Sequence, residues 1–276
     1  MLLLKRDRTE VSRPSGVRPA WLAGAVVIAA GAVLLSGVTG ARPTQARAQT
    51  SLRILTYNIQ QGYGKTGEKS FDRQLEVIRL IQPDVLGLQE TDTARVAGGN
   101  SDVVRYLADA LDMYSHYGPT PVSGTFGIAL LSRYPIQDPL TFFMPSRGEQ
   151  TAAIEAQIVV GEKPFRVLVT HLDNDGALAQ QRIVLDRASH GLVGPATVIA
   201  MGDFNFNSST EQYRATTELL EDAWLQAGQR TVDPGAPDPA GRIDHIFLSR
   251  GTRVLRSVYL AEGPSDHPGM FAEIAW

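Results

Sequence analysis

The sequence contains no cysteine among its 276 residues. A chain without cysteine cannot form disulfides, bind a metal through thiolates or use a thiol as a nucleophile. Beyond residue 40 it also lacks an apolar run of the roughly 20 residues needed to cross a bilayer. Any site in the later part of the chain must therefore be built from oxygen and nitrogen groups.

The first 48 residues have the composition of a targeting segment rather than of a folded domain. Basic residues from Lys5 to Arg18 precede an uncharged run at residues 21–40, and Ala46-Arg47-Ala48 follows as a small-x-small cleavage site. Both a cleaved signal peptide and an N-terminal membrane anchor fit this pattern. Either one predicts that residues 49–276 are exported to the periplasm or the extracellular space, with residues 21–40 as the anchor if they are retained.

Basic residues are scarce in the remainder of the chain. The first 48 residues hold seven Lys and Arg and two Asp and Glu, which leaves 19 basic and 27 acidic residues and a net charge of −8 for residues 49–276. Proteins that bind a nucleic-acid backbone usually carry a basic face. The charge balance disfavours nucleic acid as a partner, although an exported nuclease stays open as an alternative.

Apolar runs and turn residues predict alternating strands and helices in a single domain, residues 49–276. Strands are predicted at residues 53–57, 85–88, 127–131, 152–160, 165–170, 197–201, 243–248, 253–259 and 270–274. Helices are predicted at residues 71–82, 100–111, 177–192 and 210–227, capped by Asn100 or Ser101 and by Ser209 or Thr210 in the second and fourth cases, and residues 229–242 are predicted as a loop. Hairpins mixed with helices indicate an α/β (α+β) fold. We expect a four-layer α/β/β/α sandwich of two mixed sheets with outer helices.

Polar residues recur where the predicted apolar strands end, which is where sites in such folds are built. They are Asn58, Glu90, His171, Asp203, Asn205, Asp244, Asp266 and His267. Taken singly, each has a simpler explanation as a turn residue, a helix cap or a structural histidine. Taken together and in this order, they require a common explanation.

Six short motifs contain these residues: Tyr57-Asn58, Gln89-Glu90-Thr91, Thr170-His171-Leu172, Gly202-Asp203-Phe204-Asn205, Ile243-Asp244-His245 and Ser265-Asp266-His267-Pro268. In this order the motifs resemble the endonuclease/exonuclease/phosphatase superfamily across residues 49–276. The resemblance implies the four-layer sandwich described above. It also implies hydrolysis of phosphoesters with Mg²⁺, or with Mn²⁺ or Ca²⁺ in its place.

The resemblance also implies roles for the residues that would handle the metal and the water. A hard cation on oxygen ligands neutralises the charge that develops on a phosphoryl group. Glu90 is implied as the main metal ligand, with Asn58 beside it and Asp266 supporting the metal or its waters. Asp203 is implied as the general base, and Asn205 as a group that binds water or a phosphate oxygen. Since these last two are two residues apart, an extended chain would point them the same way.

Histidines are implied to contact the phosphate. His267 would pair with Asp244 and donate to a non-bridging phosphate oxygen, and His171 would bind the phosphate or the leaving group. Arg133, Arg147 and Arg242 are further candidates for phosphate contact, although ordinary ion pairing explains each. Some DNA-repair members have a carboxylate at the position of Gln60, and its absence argues against a repair nuclease and leaves the number of metals open.

A second set of motifs is similar to one branch of this superfamily, the C-terminal domain of eukaryotic membrane proteins that remodel the lipid of GPI anchors. It includes Tyr57-Asn58-Ile59-Gln60-Gln61-Gly62 and residues 87–94, 104–108, 113–119, 124–132 and 148–152. The similarity implies a phospholipid or glycolipid head group as substrate and a membrane surface as partner. Residues 114–126, which are rich in aromatics, Gly and Pro, would be a wall above the site or a packed loop. A non-catalytic binding domain stays as the third alternative, and no protein partner is indicated.

Overall fold

The structure is a computed structural model that describes residues 50–92, 102–120, 124–146, 151–174 and 178–276. These residues belong to one compact unit, Arg47–Trp276. The predicted leader, Arg147 and the two predicted capping residues Asn100 and Ser101 lie outside the described residues. Within these ranges no helix is both long enough and apolar enough to cross a membrane.

Thirteen strands and five α-helices make up the described part of the chain. The strands are β1 Ser51–Asn58, β2 Val85–Asp92, β3 Tyr114–Pro119, β4 Phe126–Ser132, β5 Ile136–Met144, β6 Thr151–Val160, β7 Lys163–His171, β8 Thr197–Asp203, β9 Glu221–Asp222, β10 Gln229–Val232, β11 Asp244–Leu248, β12 Arg253–Tyr259 and β13 Met270–Ala275. The helices are α1 Phe71–Ile81, α2 Val103–Leu111, α3 Leu178–Gly191, α4 Glu211–Leu219 and α5 Ala223–Gln226, and 3-10 turns occur at Gln60–Gly62 and Pro239–Gly241.

The strands form two mixed sheets. One has the order β10-β12-β13-β1-β2-β4-β3 and the other the order β5-β6-β7-β8-β11-β9. The parallel pairs are β1 with β2, β7 with β8 and β10 with β12, and the other pairs are antiparallel. The central pairs of the two sheets, β1–β2 and β7–β8, are thus parallel pairs flanked by antiparallel strands.

Alternate residues of the strands face a core between the two sheets. Ile54 and Leu130 of the first sheet and Ile154, Val169 and Met201 of the second belong to one buried cluster. Because side chains alternate along a strand, the other residues of each strand face outwards. The two sheets therefore pack face to face through one apolar layer.

Helices cover the outer faces of both sheets. Leu75 and Ile78 of α1 and Leu107 of α2 pack on the first sheet, whereas Val184 of α3 and Tyr213 of α4 pack on the second. Burial of these faces is the main stabilising contribution of such helices, since their propensity alone is a weak term. The predicted four-layer sandwich of two mixed sheets is confirmed.

Several predicted element bounds are wrong. The predicted helix 210–227 ends at Leu219, because Leu220 is extended and the buried Asp222 then caps α5 by accepting from the Trp224 amide. Residues 229–232, predicted as loop, form the edge strand β10. Asp102 caps α2 by accepting from the Arg105 amide at 3.0 Å.

Besides β9 and β10, two strands were not predicted from the sequence, β3 and β5. Both are edge strands with exposed faces, so their sequences lack the continuous apolar character of a central strand. The start of the segment 114–126 is therefore strand rather than loop. After β3, the Thr120 amide donates to the Phe126 carbonyl at 2.8 Å, at the start of β4.

Candidate active site

The polar residues singled out by the sequence gather at one end of the sandwich, between the two sheets. His171 ends β7, Asp203 ends β8, and Asp244 begins β11. His171 is paired with Asp203 and Asp203 with Asp244 across neighbouring strands. Residues that are directly opposite on neighbouring strands point to the same face of the sheet. Met201, two residues before Asp203 on β8, belongs to the core between the sheets, so all three side chains lie on the inward face.

Asn58 connects the two sheets at this end. Its Nδ2 donates to Glu90 Oε1 at 3.0 Å and to Asp203 Oδ2 at 3.1 Å, while its Oδ1 accepts from the Gln60 amide at 3.0 Å. The side chain is fully buried. One amide group thus holds a carboxylate from each sheet, and it fixes the distance between them.

Glu90 occupies an irregular position in its strand. The pairing of β2 with β4 shifts register between Leu88 and Thr91, and Glu90 has φ +50°. Non-glycine residues rarely adopt this conformation, and bulges of this kind re-aim a side chain next to functional sites. The bulge turns the Glu90 carboxylate towards Asn58.

Asp203 follows a glycine that the fold requires. Gly202 has φ +154°, and a Cβ at this position would lie 1.9 Å from the Thr170 carbonyl oxygen. Only glycine allows β7 and β8 to approach this closely. The buried Asp203 carboxylate is then surrounded by donors, with the Asn205 amide 3.0 Å from Oδ1 and His171 Nε2 3.5 Å from Oδ2.

Asn205 does not continue the strand, and the expectation of an extended chain at this point is wrong. Asn205 has φ +52°, and its amide donates to Asp203 Oδ1, so the chain turns back directly after the strand. Its Nδ2 donates to the Leu172 carbonyl at 2.9 Å. The second Nδ2 hydrogen and the Oδ1 atom can still contact a water or a phosphate oxygen.

His267 and Asp244 form the predicted pair. His267 Nδ1 lies 2.9 Å from Asp244 Oδ2 and 3.7 Å from Asp203 Oδ2. Since Nδ1 is held by a carboxylate, the other ring nitrogen, Nε2, is the one available to a substrate. The ring is partly exposed, whereas both carboxylates are buried.

The pair is charged in the neutral pH range. Burial alone lowers the pKa of His267, but the Asp244 carboxylate and the hydrogen bond to it outweigh burial, and Asp203 adds to them, so that the pKa rises to about 10. Burial and then the charge of Asp203 raise the pKa of Asp244 to about 6, against the opposing effect of His267. Between these values the imidazolium and the carboxylate coexist as an ion pair.

Ser265 is a site residue to which sequence reasoning gave no role. It is fully buried, its Oγ donates to the Asn58 carbonyl at 2.7 Å, and the same Oγ accepts from the His267 amide at 3.3 Å. Asp266 Oδ1 lies 3.3 Å from the Ser265 hydroxyl. Ser265 therefore fastens the loop of Asp266 and His267 to the end of β1. Its place directly before Asp266-His267 was the only signal for it.

The two described arginine candidates are held by other partners. Arg242 is buried in an ion pair with Asp222, and Arg133 lies 3.7 Å from Asp84. His245 follows Asp244 but points to the opposite face of the strand, where its Nε2 donates to the Phe206 carbonyl at 2.9 Å. These side chains already have structural roles, in agreement with the simpler explanation given for the arginines.

The donor set fits a hard divalent cation. Among the described residues, Asp203, Asp244 and His267 each offer a ligand atom, and these atoms lie within 4.8 Å of one another. His267 Nδ1 is already bonded to Asp244, so the oxygen atoms are the better candidates. Asp244 Oδ1 is buried without a hydrogen-bond partner, and Asn58 brings Glu90 close to Asp203. Mg²⁺ is usually bound through one or two carboxylates and keeps several waters, and these oxygen atoms can supply such a site.

Comparisons with known proteins agree with this geometry. Residues 49–219 match the family model described as the PGAP2IP C-terminal nuclease-like domain. Protein cwh43 of Schizosaccharomyces pombe is 40% identical over 103 residues, which cover 37% of this chain and 11% of that protein. The chain thus spans about a tenth of the length of this curated relative.

Solved structures share the fold at low sequence identity. An endonuclease/exonuclease/phosphatase from Beutenbergia cavernae has a TM-score of 0.67 and 22% identity, covering 82% of this chain and 72% of that one. A mannosyl-6-phosphatase from Bacteroides thetaiotaomicron has a TM-score of 0.68 and 20% identity, covering 82% and 100%. The human Nocturnin catalytic domain with bound sulfate has a TM-score of 0.67 and 23% identity, covering 82% and 93%.

Proposed function

Because this chain belongs to the family of PGAP2IP C-terminal nuclease-like domains, we propose that it is a metal-dependent phosphoesterase that hydrolyses phospholipid or glycolipid head groups. The observation that carries the proposal is the convergence of three distant parts of the chain on Asp203. Asn58 donates to its carboxylate at 3.1 Å, and His267 Nδ1 lies 3.7 Å from the same oxygen.

Asp203 is the proposed general base. Its carboxylate is held by the Asn205 amide on one oxygen and by Asn58 on the other, so its orientation is fixed before the substrate arrives. A base positioned in this way removes a proton from the attacking water. Asn205 orients that water or a phosphate oxygen with the part of its amide that Leu172 does not use.

His267 and His171 are the proposed phosphate contacts. Asp244 keeps His267 charged and fixes its orientation, so that Nε2 donates to a non-bridging oxygen where negative charge develops. His171 Nε2 lies 3.5 Å from Asp203 Oδ2, and this proximity supports its role as a contact to the phosphate or the leaving group. The two rings would hold the phosphate between them.

Glu90 is the proposed main metal ligand, with Asn58 next to it and Asp266 supporting the metal or its waters. A bound Mg²⁺, or Mn²⁺ or Ca²⁺, would supply positive charge to the phosphoryl oxygens and the leaving oxygen. Asn58 donates to Glu90 in the structure, so it orients this carboxylate as well as standing beside it.

Three observations support a lipid head group as substrate. The relative cwh43 matches over 103 residues, the motifs resemble a GPI-lipid remodelling branch, and residues 49–276 carry a net charge of −8. The apolar run at residues 21–40 supports a location at or outside a membrane. The matching family is nuclease-like, so an exported nuclease is the second candidate. The net negative charge of residues 49–276 disfavours it.

A substrate panel tests the proposal. The purified chain would be assayed with Mg²⁺, Mn²⁺ and Ca²⁺ on phosphatidylinositol, sphingomyelin, a sugar phosphate, plasmid DNA and an aryl phosphodiester. We expect turnover of a lipid that EDTA abolishes. Cleavage of DNA with no turnover of any lipid would support the nuclease instead, and no hydrolysis of any member would support a binding domain.

A further inference from the structure

The row of strand residues that carries the catalytic groups continues beyond them to an exposed aromatic ring. Asp244 is paired with Asp203, and Asp203 with His171. Ala153 is paired with Thr170, so Ala152 stands opposite His171 in the same register.

Phe143 completes this row on the next strand. It is paired with Ala152, which makes it the edge-strand member of a line across five strands of the second sheet. Neighbouring strands lie about 4.8 Å apart, so Phe143 is roughly 10 Å from His171 and roughly 14 Å from Asp203 along the sheet.

Phe143 also faces the same side as the catalytic groups. Its partner Ala152 belongs to the core between the sheets, and directly paired residues share a face. Thr141, two residues earlier on β5, contacts His116 of the other sheet at 3.0 Å, which shows that this face of β5 points inwards. Phe143 is nevertheless 55% exposed, an unusual environment for a large apolar side chain on an inward face.

Uncharged side chains lie next to His171 on the side of the sheet that leads to Phe143. A cavity of about 10 Å³ beside His171 is lined by Ala152 and, from the facing sheet, by Phe126. None of the residues that line it is charged, apart from His171 if it is protonated. Ala152, which has a small side chain, is the residue of this row between His171 and Phe143.

We propose that Phe143, with Ala152 and Phe126, forms a subsite for the apolar part of an amphipathic phosphoester, next to the phosphate site. This inference rests on the proposed phosphoesterase function. The row carries polar groups at the Asp244 end and apolar groups at the Phe143 end, which matches the polarity of a lipid. The distance from His171 is too long for the phosphate itself and fits the glycerol and the first part of an acyl chain. Phe143 is thus a specificity-determining residue.

Two aryl phosphodiesters that differ only in their apolar part test the subsite, methyl 4-nitrophenyl phosphate and octyl 4-nitrophenyl phosphate. Both would be used below the concentration at which the octyl ester forms micelles, with the full chain in Mg²⁺. We expect a higher kcat/KM for the octyl ester in the unmodified protein. Phe143→Thr, which keeps a good strand former, should lower kcat/KM for the octyl ester about 10-fold, or about 1.4 kcal/mol, and leave the methyl ester within about twofold.

Leu140→Thr is the matched control. Leu140 lies on the same strand and is 45% exposed, but its partner Glu155 is on the outward face. This variant should leave both esters unchanged, and Phe143→Leu should retain most of the octyl preference because it keeps an apolar group.

The outcomes separate the subsite from the proposed function. If the unmodified protein hydrolyses both esters equally well, or if Phe143→Thr slows them equally, the subsite is wrong while the phosphoesterase stands. If Leu140→Thr lowers kcat/KM for the octyl ester as much as Phe143→Thr does, the ester adsorbs non-specifically at the exposed edge strand and the subsite is wrong. A change in oligomeric mass on Phe143→Thr would assign the ring to a contact between chains. Hydrolysis of neither ester by the unmodified protein would refute the proposed function and the subsite with it.

Discussion

Replacing Asp244 by Asn should lower the pKa of His267 and so reduce the fraction of the ring that is charged at neutral pH. The substitution keeps the shape of the side chain and removes the carboxylate that accepts from Nδ1 at 2.9 Å. That carboxylate is the largest influence that raises the pKa of His267 to about 10, against burial, which lowers it. Without it, we expect the pKa of His267 to fall by roughly 2–3 units, or about 3–4 kcal/mol of differential stabilisation.

This change should appear in titration and in kinetics. Without metal, NMR titration of the His267 ring should move from near pH 10 in the unmodified chain to roughly pH 7–8 in Asp244→Asn. With metal, kcat at neutral pH should fall on the order of 10²–10³-fold, as for loss of one preorganised donor, and the alkaline limb of the profile should shift to lower pH. An unchanged His267 titration in a folded Asp244→Asn protein would refute this account of the pair.

Three further predictions concern the metal, the strand approach and acid stability. Glu90→Gln should retain the fold by circular dichroism but require much more Mg²⁺ for half-maximal activity; unchanged metal dependence would remove Glu90 as the main ligand. Gly202→Ala places a Cβ 1.9 Å from the Thr170 carbonyl and should cost about 3 kcal/mol or more in urea unfolding, so a loss under 1 kcal/mol would contradict the close approach. Burial lowers the pKa of His245 to about 4, below its ordinary 6.5, so its neutral form stabilises the fold above pH 6.5 and about 3 kcal/mol is lost as pH falls towards 4. His245→Gln keeps a donor for the Phe206 carbonyl and should flatten this loss between pH 7 and 4.5, whereas an identical acid response would assign it to other groups.

Central strands could be predicted from the sequence because their apolar character comes from burial on both faces. The strand that ends in Asp203 is the best example, since its run of apolar residues stops where the polar site begins. Edge strands β3 and β5 have one exposed face and no such run, so their pairing depends on neighbours that are distant in sequence.

The identities of the site residues could be predicted better than their local backbone. The motifs indicated Asn58, Asp203, Asp244 and His267, and the fold brings these side chains together. The bulge at Glu90 and the turn at Asn205 depend on strand register and on side-chain hydrogen bonds that no local pattern records.

Ser265 and Phe143 illustrate a second limit of sequence reasoning. A buried serine that fastens a loop to the end of β1, and an exposed ring in register with the strand ends at the site, become visible only when the fold and the strand register are known. Neither residue type is distinctive enough in sequence to indicate a role.

The most direct test of the central claim is a double-mutant cycle on Asp203 and His267. The two residues lie 64 positions apart in sequence, yet the account places both around one phosphate, with Nδ1 of His267 3.7 Å from Asp203. On the lipid or aryl phosphodiester that the chain hydrolyses, Asp203→Asn should reduce kcat ~10²–10⁴-fold and His267→Ala ~10²–10³-fold. The losses should not multiply in the double variant, because both groups act on one transition state. Near-normal turnover by either folded single variant, or fully multiplicative losses, would contradict the account.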